Sequence, residues 1–385
     1  MQKVKLLRIT TVPISLVTLL KGQPEFFSRH NFDVLTVSSS GEEIRQLKSW
    51  GVAHQVVNMT RRITPLRDWI ALVHLIILIQ KYKPTIVHTH TPKAGLLGMV
   101  AAWLCRVPVR MHTIAGLVWL ETTGIKRQLL ILMERLTYAC AVRVYPNSIK
   151  LTEYLRGQLR FEAPKMRVIG RGSSNGIDNG YFHKTAEWIR AGIELRKQHH
   201  IEEREFVFCF IGRMVRDKGL VELVEAFGQV STEKKTRLIL VGHQEPDLDP
   251  LPAYIIKIIR QSSNIIEAGY QEDVRPWLSA SHAFVLPSYR EGFPNVVMQA
   301  ACMELPCIVS DINGCNEMVL YGKTGLIVPP KNIQALSQAM KTLIDHHERS
   351  NEMGKAARQF VSANFEQQAI WNELLKEYQT LLTLN

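Results

Sequence analysis

The stretch Pro287-Ser288-Tyr289-Arg290-Glu291-Gly292-Phe293-Pro294-Asn295-Val296-Val297-Met298-Gln299-Ala300 follows a four-residue apolar run, Ala283 to Leu286, and decides how the rest of the chain is read. The apolar run reads as a buried strand, and the residues after it open a helix. Glu291 and then Gly292, Phe293, Pro294, Asn295 and Val296 are expected where that helix begins. Unpaired backbone N–H groups and the positive end of the helix dipole would then face a ligand. Such a seat suits an anionic, hydroxyl-rich molecule. Gln299 lies eight residues after Glu291, two helical turns on, which would bring both side chains to one face.

Outward from this segment the chain alternates strand and helix, the pattern of a doubly wound α/β protein. In the first half, strands are expected at Val4 to Thr10, Asp33 to Ser38, His54 to Met59, Thr85 to Thr89, Val109 to Thr113 and Val142 to Pro146. Helices fall between them, notably at Pro65 to Lys83, Ala94 to Cys105 and Lys126 to Ala139. The small, polar run from Arg171 to Asp178 reads as a connection to a second domain. The alternation then restarts, with strands at Phe206 to Ile211, Thr236 to Val241, Ile265 to Glu267, Ala283 to Leu286, Cys307 to Ser310 and Gly325 to Val328. Glu366 to Leu384 places Ile370, Trp371, Leu374, Leu375, Tyr378 and Leu381 at helical spacing.

The first strand of the second half runs into Gly212-Arg213-Met214-Val215-Arg216-Asp217-Lys218-Gly219. Gly212 permits a tight turn, while Arg213 and Lys218 bring two cations to the strand's carboxyl end, where ligands of open α/β sheets bind. A diphosphate needs that combination. In the first half, Val87-His88-Thr89-His90-Thr91-Pro92-Lys93 ends a strand and starts a helix. His88 and His90 share one side of the strand, which invites a metal. No carboxylate or Cys ligand lies nearby in sequence, and none is expected to bind.

These motifs, in this order, resemble the retaining glycosyltransferases of family 4, and the resemblance covers nearly the whole chain. It implies the GT-B architecture: two Rossmann-like domains facing a cleft, residues 1–170 and 171–365, with a C-terminal helix at 366–385 crossing back to the first. It implies that Glu291 and the backbone behind it hold hydroxyls of the transferred sugar. Gln299, where the family has a second Glu, would hold the ribose of the nucleotide, and an amide still offers one acceptor and one donor there. Arg213 and Lys218 would neutralise the diphosphate, with Gly212 beneath it. Tyr270, in Glu267-Ala268-Gly269-Tyr270, would stack on a uracil ring or fill the core. The strand Val109 to Gly116 resembles the family's H-T-x-H-G segment, with Ala115 in place of the second His. His112 would contact sugar or acceptor, and Gly116 the donor phosphates. The loop carrying His90 and Lys93 looks like that of bacterial capsule and O-antigen transferases, so Lys93, His90 and the helix N-terminus would receive an acceptor diphosphate. Thr11 belongs to the first loop, Thr10 to Ser15, which lacks the Gly-Gly of many relatives.

Composition is consistent with that reading. A chain of 385 residues exceeds what one hydrophobic core usually supports. Its six cysteines sit among apolar residues without a C-x-x-C pair, as buried thiols in a reducing compartment do. The N-terminus runs straight into a strand, so no cleavable signal is expected. The longest apolar candidate for a membrane span, Trp69 to Ile79, is too short and contains His74, and it reads as a core helix.

Residues 1–170 carry 24 Lys and Arg against 9 Asp and Glu, and the remainder of the chain is net negative. Lys3, Lys5, Arg61, Arg62, Arg67, Lys126, Arg127, Arg156 and Arg160 lie among apolar helices, which suits an anionic bilayer or a diphosphate acceptor. No nucleic-acid-binding motif is present. The expectation is a metal-independent enzyme without cofactor, peripheral to the cytoplasmic face of the cell membrane. It would move a hexose or N-acetylhexosamine from a UDP-linked donor to a polyprenyl-diphosphate-linked saccharide with retention. A GT-B nucleotide-sugar epimerase, or a non-catalytic GT-B partner subunit suggested by Gln299 and Ala115, are the alternatives.

Overall fold

The computed structural model describes residues 3–159, 165–245 and 249–384. Arg160, one of the expected cations of the first half, lies outside the described residues. The chain divides into two compact units, Met1–Gly176 with Gln367–Asn385, and Ile177–Glu366. The division falls at Gly176 and Ile177, within the polar connection, rather than at 170.

The first unit runs β1 (Val4–Ile9), α1 (Pro13–Leu19), α2 (Gln23–Arg29), β2 (Phe32–Ser38), α3 (Ile44–Ser49), β3 (Ala53–Val56), α4 (Pro65–Tyr82), β4 (Ile86–Thr89), α5 (Pro92–Leu104), β5 (Val109–Ile114), α6 (Gly124–Cys140), β6 (Arg143–Pro146) and α7 (Ile149–Leu159). All six strands are parallel, in the order β3-β2-β1-β4-β5-β6. Strand order therefore reverses between β1 and β4, where open α/β sheets bind ligands beyond the carboxyl ends of their strands.

The second unit repeats the plan with α8 (Ala186–Gln198), β7 (Phe206–Ile211), α9 (Leu220–Ser231), β8 (Thr236–Val241), α10 (Ala253–Gln261), β9 (Ile265–Gly269), α11 (Arg275–Ser279), β10 (Ala283–Leu286), α12 (Asn295–Cys302), β11 (Cys307–Ser310), β12 (Gly325–Val328), α13 (Ile333–Asp345) and α14 (His347–Phe365). Its parallel order, β12-β11-β10-β7-β8-β9, puts the reversal between β7 and β10. Phe206-Val207-Phe208-Cys209-Phe210-Ile211 is buried at every position, because a central parallel strand is covered on both faces. An unbroken apolar run is the sequence form of that environment, and it made this strand legible.

The last helix, α15 (Gln367–Thr383), belongs to the first unit. Its Trp371, Leu374, Tyr378 and Leu381 join Phe26, Phe27 and Phe32 in one core. Polar contacts orient it: Trp371 Nε1 donates to Asn175 Oδ1 at 2.8 Å, and Tyr145 and Arg167 both donate to the buried Glu377, at 2.9 and 2.6 Å. All six cysteines are free and five are buried, with burial raising Cys209 and Cys302 to about 12. Among the described residues no helix is long and apolar enough to cross a membrane. The run Trp69 to Ile79, expected as a core helix, is buried on one side only: Ala71, Leu75 and Ile79 are inside, whereas Trp69, Ile70, Val73 and Ile77 are exposed.

Candidate active site

In the second unit, the loops that follow β7 and β10 lie on the two sides of the strand-order reversal, and they are laced together. Gly219 ends a single 3-10 turn, Arg216–Lys218, in the left-handed region at φ 72°. A side chain there would start 2.1 Å from the carbonyl oxygen of Pro287, so glycine is required both for the conformation and for the close approach. Tyr289 N donates to Asp217 O at 2.8 Å, and Arg290 pairs with Asp217 at 2.7 Å. These contacts bring the ammonium of Lys218 onto the carboxylate of Glu291. Ser288 Oγ donates to the same carboxylate oxygen at 2.9 Å.

Glu291 precedes the helix rather than standing on it. α12 begins at Asn295 with Pro294 as its N-cap, and no side chain caps it. Pro294 is extended at φ −73° and ψ 108° and disfavours helical geometry at Phe293, and residues 287–294 lie outside helix and strand. The expected two-turn spacing from Glu291 to Gln299 is therefore corrected: Gln299 is the fifth residue of α12, one turn after Asn295, and any shared ligand would be reached from a loop and a helix. Asn295, Val296 and Gln299 are partly exposed on the first turns. Phe293 is buried with its ring 5.2 Å from that of Phe365, anchoring the loop. The carbonyl of Gly292 lies 1.8 Å from where a side chain on Gly314 would begin, so this backbone is clamped from behind.

Arg213 follows Gly212 at the end of β7 and donates to Glu245 Oε2 at 2.6 Å, while keeping 37% of its side chain exposed. His243 Nε2 is 3.6 Å from the other oxygen of Glu245. Glu245 and His243 come from the loop after β8 and were not singled out in the sequence. The signal was present: the end of a neighbouring parallel strand must lie beside the end of β7. Tyr270, immediately after β9, is 68% exposed with its ring 6.2 Å from that of His243. It is a free aromatic surface and not a core residue.

In the first unit several of the expected site residues have partners within the chain. Thr11 and Thr91 hydroxyls are 2.7 Å apart across the β1–β4 reversal, and Thr11 Oγ1 accepts from Ala94 N in the first turn of α5 at 3.3 Å. The helix start expected to receive an anion is thus served by a hydroxyl of the chain itself. Lys93, expected at an acceptor diphosphate, donates to both oxygens of Asp68 at 2.7 Å and to the carbonyl of Arg62. Its charge is already matched, and it ties the start of α4 to the start of α5.

His90 is buried, with Nε2 accepting from Arg8 Nη2 at 2.9 Å; a guanidinium offers no acceptor, so the imidazole proton lies on Nδ1. That Nδ1 and Asn147 Oδ1 are buried without a hydrogen-bond partner, and both residues line a small cavity of about 20 Å³, the size for an ordered water. His88 spends both nitrogens, on Tyr378 Oη at 2.7 Å and Thr113 Oγ1 at 2.8 Å. Burial and the charge of Arg8 hold both imidazoles well below the ordinary histidine range.

His112 is likewise inside. Its Nδ1 is 2.8 Å from Thr89 Oγ1, and its ring fills the space above Gly95 of α5, 2.4 Å from where a side chain on that residue would begin. Burial lowers it to about 3. The His112 ring is covered by α5, whereas His90 packs on His88 and Arg8 and lines its cavity with Ile370 and Leu374 of the last helix. Gly116 lies two residues beyond β5 and is partly exposed.

The chain thus holds two parallel Rossmann-like units, with a cation, a carboxylate and an uncapped helix at the reversal of the second. Residues 193–360 match the family "Glycosyl transferases group 1", and residues 27–172 match "Glycosyl transferase 4-like domain". The chain is 32% identical to the capsular polysaccharide biosynthesis glycosyltransferase CapM of Staphylococcus aureus, over 99% of this chain and 98% of that one. It belongs to the group 1 glycosyltransferases. It is also 29% identical, over 88% of each chain, to the UDP-Gal:alpha-D-GlcNAc-diphosphoundecaprenol alpha-1,3-galactosyltransferase of Escherichia coli. The structure of Anabaena Alr3699/HepE in complex with UDP superposes with a TM-score of 0.80 at 18% identity, covering 98% of this chain and all of that one, and shares the GT-B fold.

Proposed function

We propose that this glycosyltransferase moves a hexose or N-acetylhexosamine from a UDP-linked donor to a polyprenyl-diphosphate-linked saccharide, with retention at the anomeric carbon, in cell-surface polysaccharide synthesis. The observation that carries the reading is the meeting of Lys218 with Glu291 beside the uncapped start of α12. A donor diphosphate would take over both cations, Lys218 from Glu291 and Arg213 from Glu245. The released Glu291 carboxylate then accepts hydrogen bonds from the sugar hydroxyls. Tyr270 stacks on the base, Gln299 holds the ribose, and the N–H groups of Asn295 and Val296, with the backbone at Gly212, approach the phosphates.

In the reaction the acceptor oxygen attacks the anomeric carbon from the face that the diphosphate leaves. The bond from that carbon to the phosphate oxygen breaks, the new glycosidic bond forms, and the acceptor proton passes to the departing phosphate. Negative charge grows on the leaving group, where Arg213 and Lys218 stabilise it. Two protein cations at the diphosphate make a divalent ion unnecessary, and turnover is expected to survive EDTA. A lipid-linked acceptor, by analogy with the diphosphoundecaprenol substrate named for the Escherichia coli relative, supports a location at the cytoplasmic surface of the membrane.

The test is a panel of UDP-, GDP- and ADP-sugars with a synthetic polyprenyl-diphosphate-linked sugar, followed by NMR of the product's anomeric proton. Release of UDP only with acceptor present, and an anomeric configuration equal to the donor's, are expected. Epimerised donor without transfer would establish the alternative reaction, and an inverted product would overturn retention.

A further inference from the structure

Two helices of the first unit each bury one side and expose a stripe of apolar residues on the other. On α4 the exposed residues Leu66, Trp69, Ile70, Val73 and Ile77 recur at three- and four-residue steps, which is one stripe of a helix, while Ala71, Leu75 and Ile79 fill the opposite stripe and the core. On α6 the exposed residues are Ile125, Leu129, Leu132 and Leu136, again one stripe, opposed by buried Glu134, Thr137 and Tyr138. Leu66 is 84% exposed and Ile125 89%. α5 packs between the two helices and adds exposed Trp103 and Leu104 at its end. Scattered surface leucines are ordinary, but two full stripes on the helices that flank α5, with Trp103 and Leu104 at its end, are more than scatter.

Charge decides what covers that face. From Arg61 to Cys140 the sequence has 11 Lys and Arg against Asp68, Glu121 and Glu134. Asp68 is consumed by Lys93, and Glu134 is buried. Arg61, Arg62, Arg67, Lys126 and Arg135 are exposed at the borders of the stripes. A second copy of the chain would bring like charges together, whereas an anionic bilayer supplies both the apolar interior and the opposite charge. Tryptophans at 69 and 103 are the side chain that favours the boundary between lipid and water.

We infer that the exposed stripes of α4 and α6, with Trp103 of α5, form a lipid-docking face that seats the first unit in the interface of an anionic membrane. This deepens the peripheral location stated above and rests on that reading. It locates the contact in apolar insertion by named residues and not in net charge alone.

The experiment uses the full chain and vesicles of phosphatidylcholine with and without phosphatidylglycerol. The parent is expected to float with the phosphatidylglycerol vesicles, with a blue shift of tryptophan emission. Trp69→Glu with Leu132→Glu should reduce the bound fraction at least about tenfold at unchanged melting temperature, since both positions face solvent. Arg61→Glu with Lys126→Glu should weaken binding and its salt dependence together. The inference is overturned if the Trp69→Glu, Leu132→Glu protein floats like the parent. It is equally overturned if, without lipid, the parent is a dimer that this variant dissociates, since a second copy would then be the occupant. Turnover with a short-chain, water-soluble acceptor separates the two readings: the variant should keep the parent's rate there, and a parent that floats but transfers no sugar would fail the transferase assignment while leaving the docking face intact.

Discussion

Lys218 and Glu291, 73 residues apart in the chain, meet as an ion pair at the carboxyl edge of the second sheet. Each is the residue the sequence offers for a different part of a nucleotide sugar, the ammonium for phosphate and the carboxylate for sugar hydroxyls. Their mutual neutralisation keeps two largely buried charges paired before a donor arrives. In the proposed reaction, donor binding would exchange this contact for one contact each, leaving neither charge unpaired.

Lys218→Ala and Arg213→Ala are each expected to lower turnover at least about tenfold, the loss of a charge-assisted contact of roughly 1.5–3 kcal/mol to a leaving group whose charge grows. Lys218→Ala also leaves Glu291 without its cation, so its melting temperature should fall slightly, whereas that of Arg213→Ala, on the more exposed pair, should not. Coupled detection of UDP release and calorimetric melting read the two effects. Normal turnover by both variants would remove the diphosphate assignment.

Gln299→Ala is expected to weaken donor binding by up to about tenfold, one hydrogen bond of ordinary strength near 0.5–1.5 kcal/mol, while Gln299→Glu retains transfer. Glu291→Ala should cost more in kcat, because its partner is the group being transferred. Isothermal calorimetry with intact donor, alongside turnover, distinguishes them. Parent-like binding by Gln299→Ala would place the ribose elsewhere.

Tyr270→Ala should reduce affinity for UDP without changing stability, since the ring is exposed and packs only at its edge near His243. Stacking of a base on an aromatic side chain contributes about 1–3 kcal/mol, and Tyr270→Phe should keep most of it. Titration with UDP and with pyrophosphate provides the check: only the UDP affinity should respond.

Burial raises Glu134, in α6, to about 7. The folded protein therefore keeps a proton that the unfolded chain loses near the ordinary carboxyl value. Its contribution to stability is full below pH 4.5 and is lost as pH rises to about 7, by something on the order of 3 kcal/mol, and is flat above that. Glu134→Gln should be more stable than the parent at neutral pH and show a smaller decline between those limits. Urea titrations across that range measure it. An unchanged pH profile in Glu134→Gln would show that another group is responsible.

The order of elements and the ends of the strands that carry chemistry were legible without coordinates. Fully buried parallel strands leave unbroken apolar runs such as Phe206 to Ile211, and the loops after them carry Gly, Arg, Lys and Glu at positions where a strand must stop. What spacing along the chain cannot report is which side chains are already satisfied by distant partners. Lys93 is paired with Asp68 of α4, and the ring of His112 lies over Gly95 of α5. Glu245 and His243 entered the site only because β8 lies next to β7. Periodicity likewise reveals that α4 is apolar on two sides, but burial of one side and exposure of the other depend on where the sheet and α5 end. Two Rossmann-like repeats, a basic first half, and Arg213, Lys218 and Glu291 in the strand-end loops can be read along the chain, because those are local consequences of composition, strand burial and turn geometry. The tertiary structure alone decided which of those charges are paired, which histidines are packed and which apolar stripes face outward, because each is a contact between residues far apart in the chain.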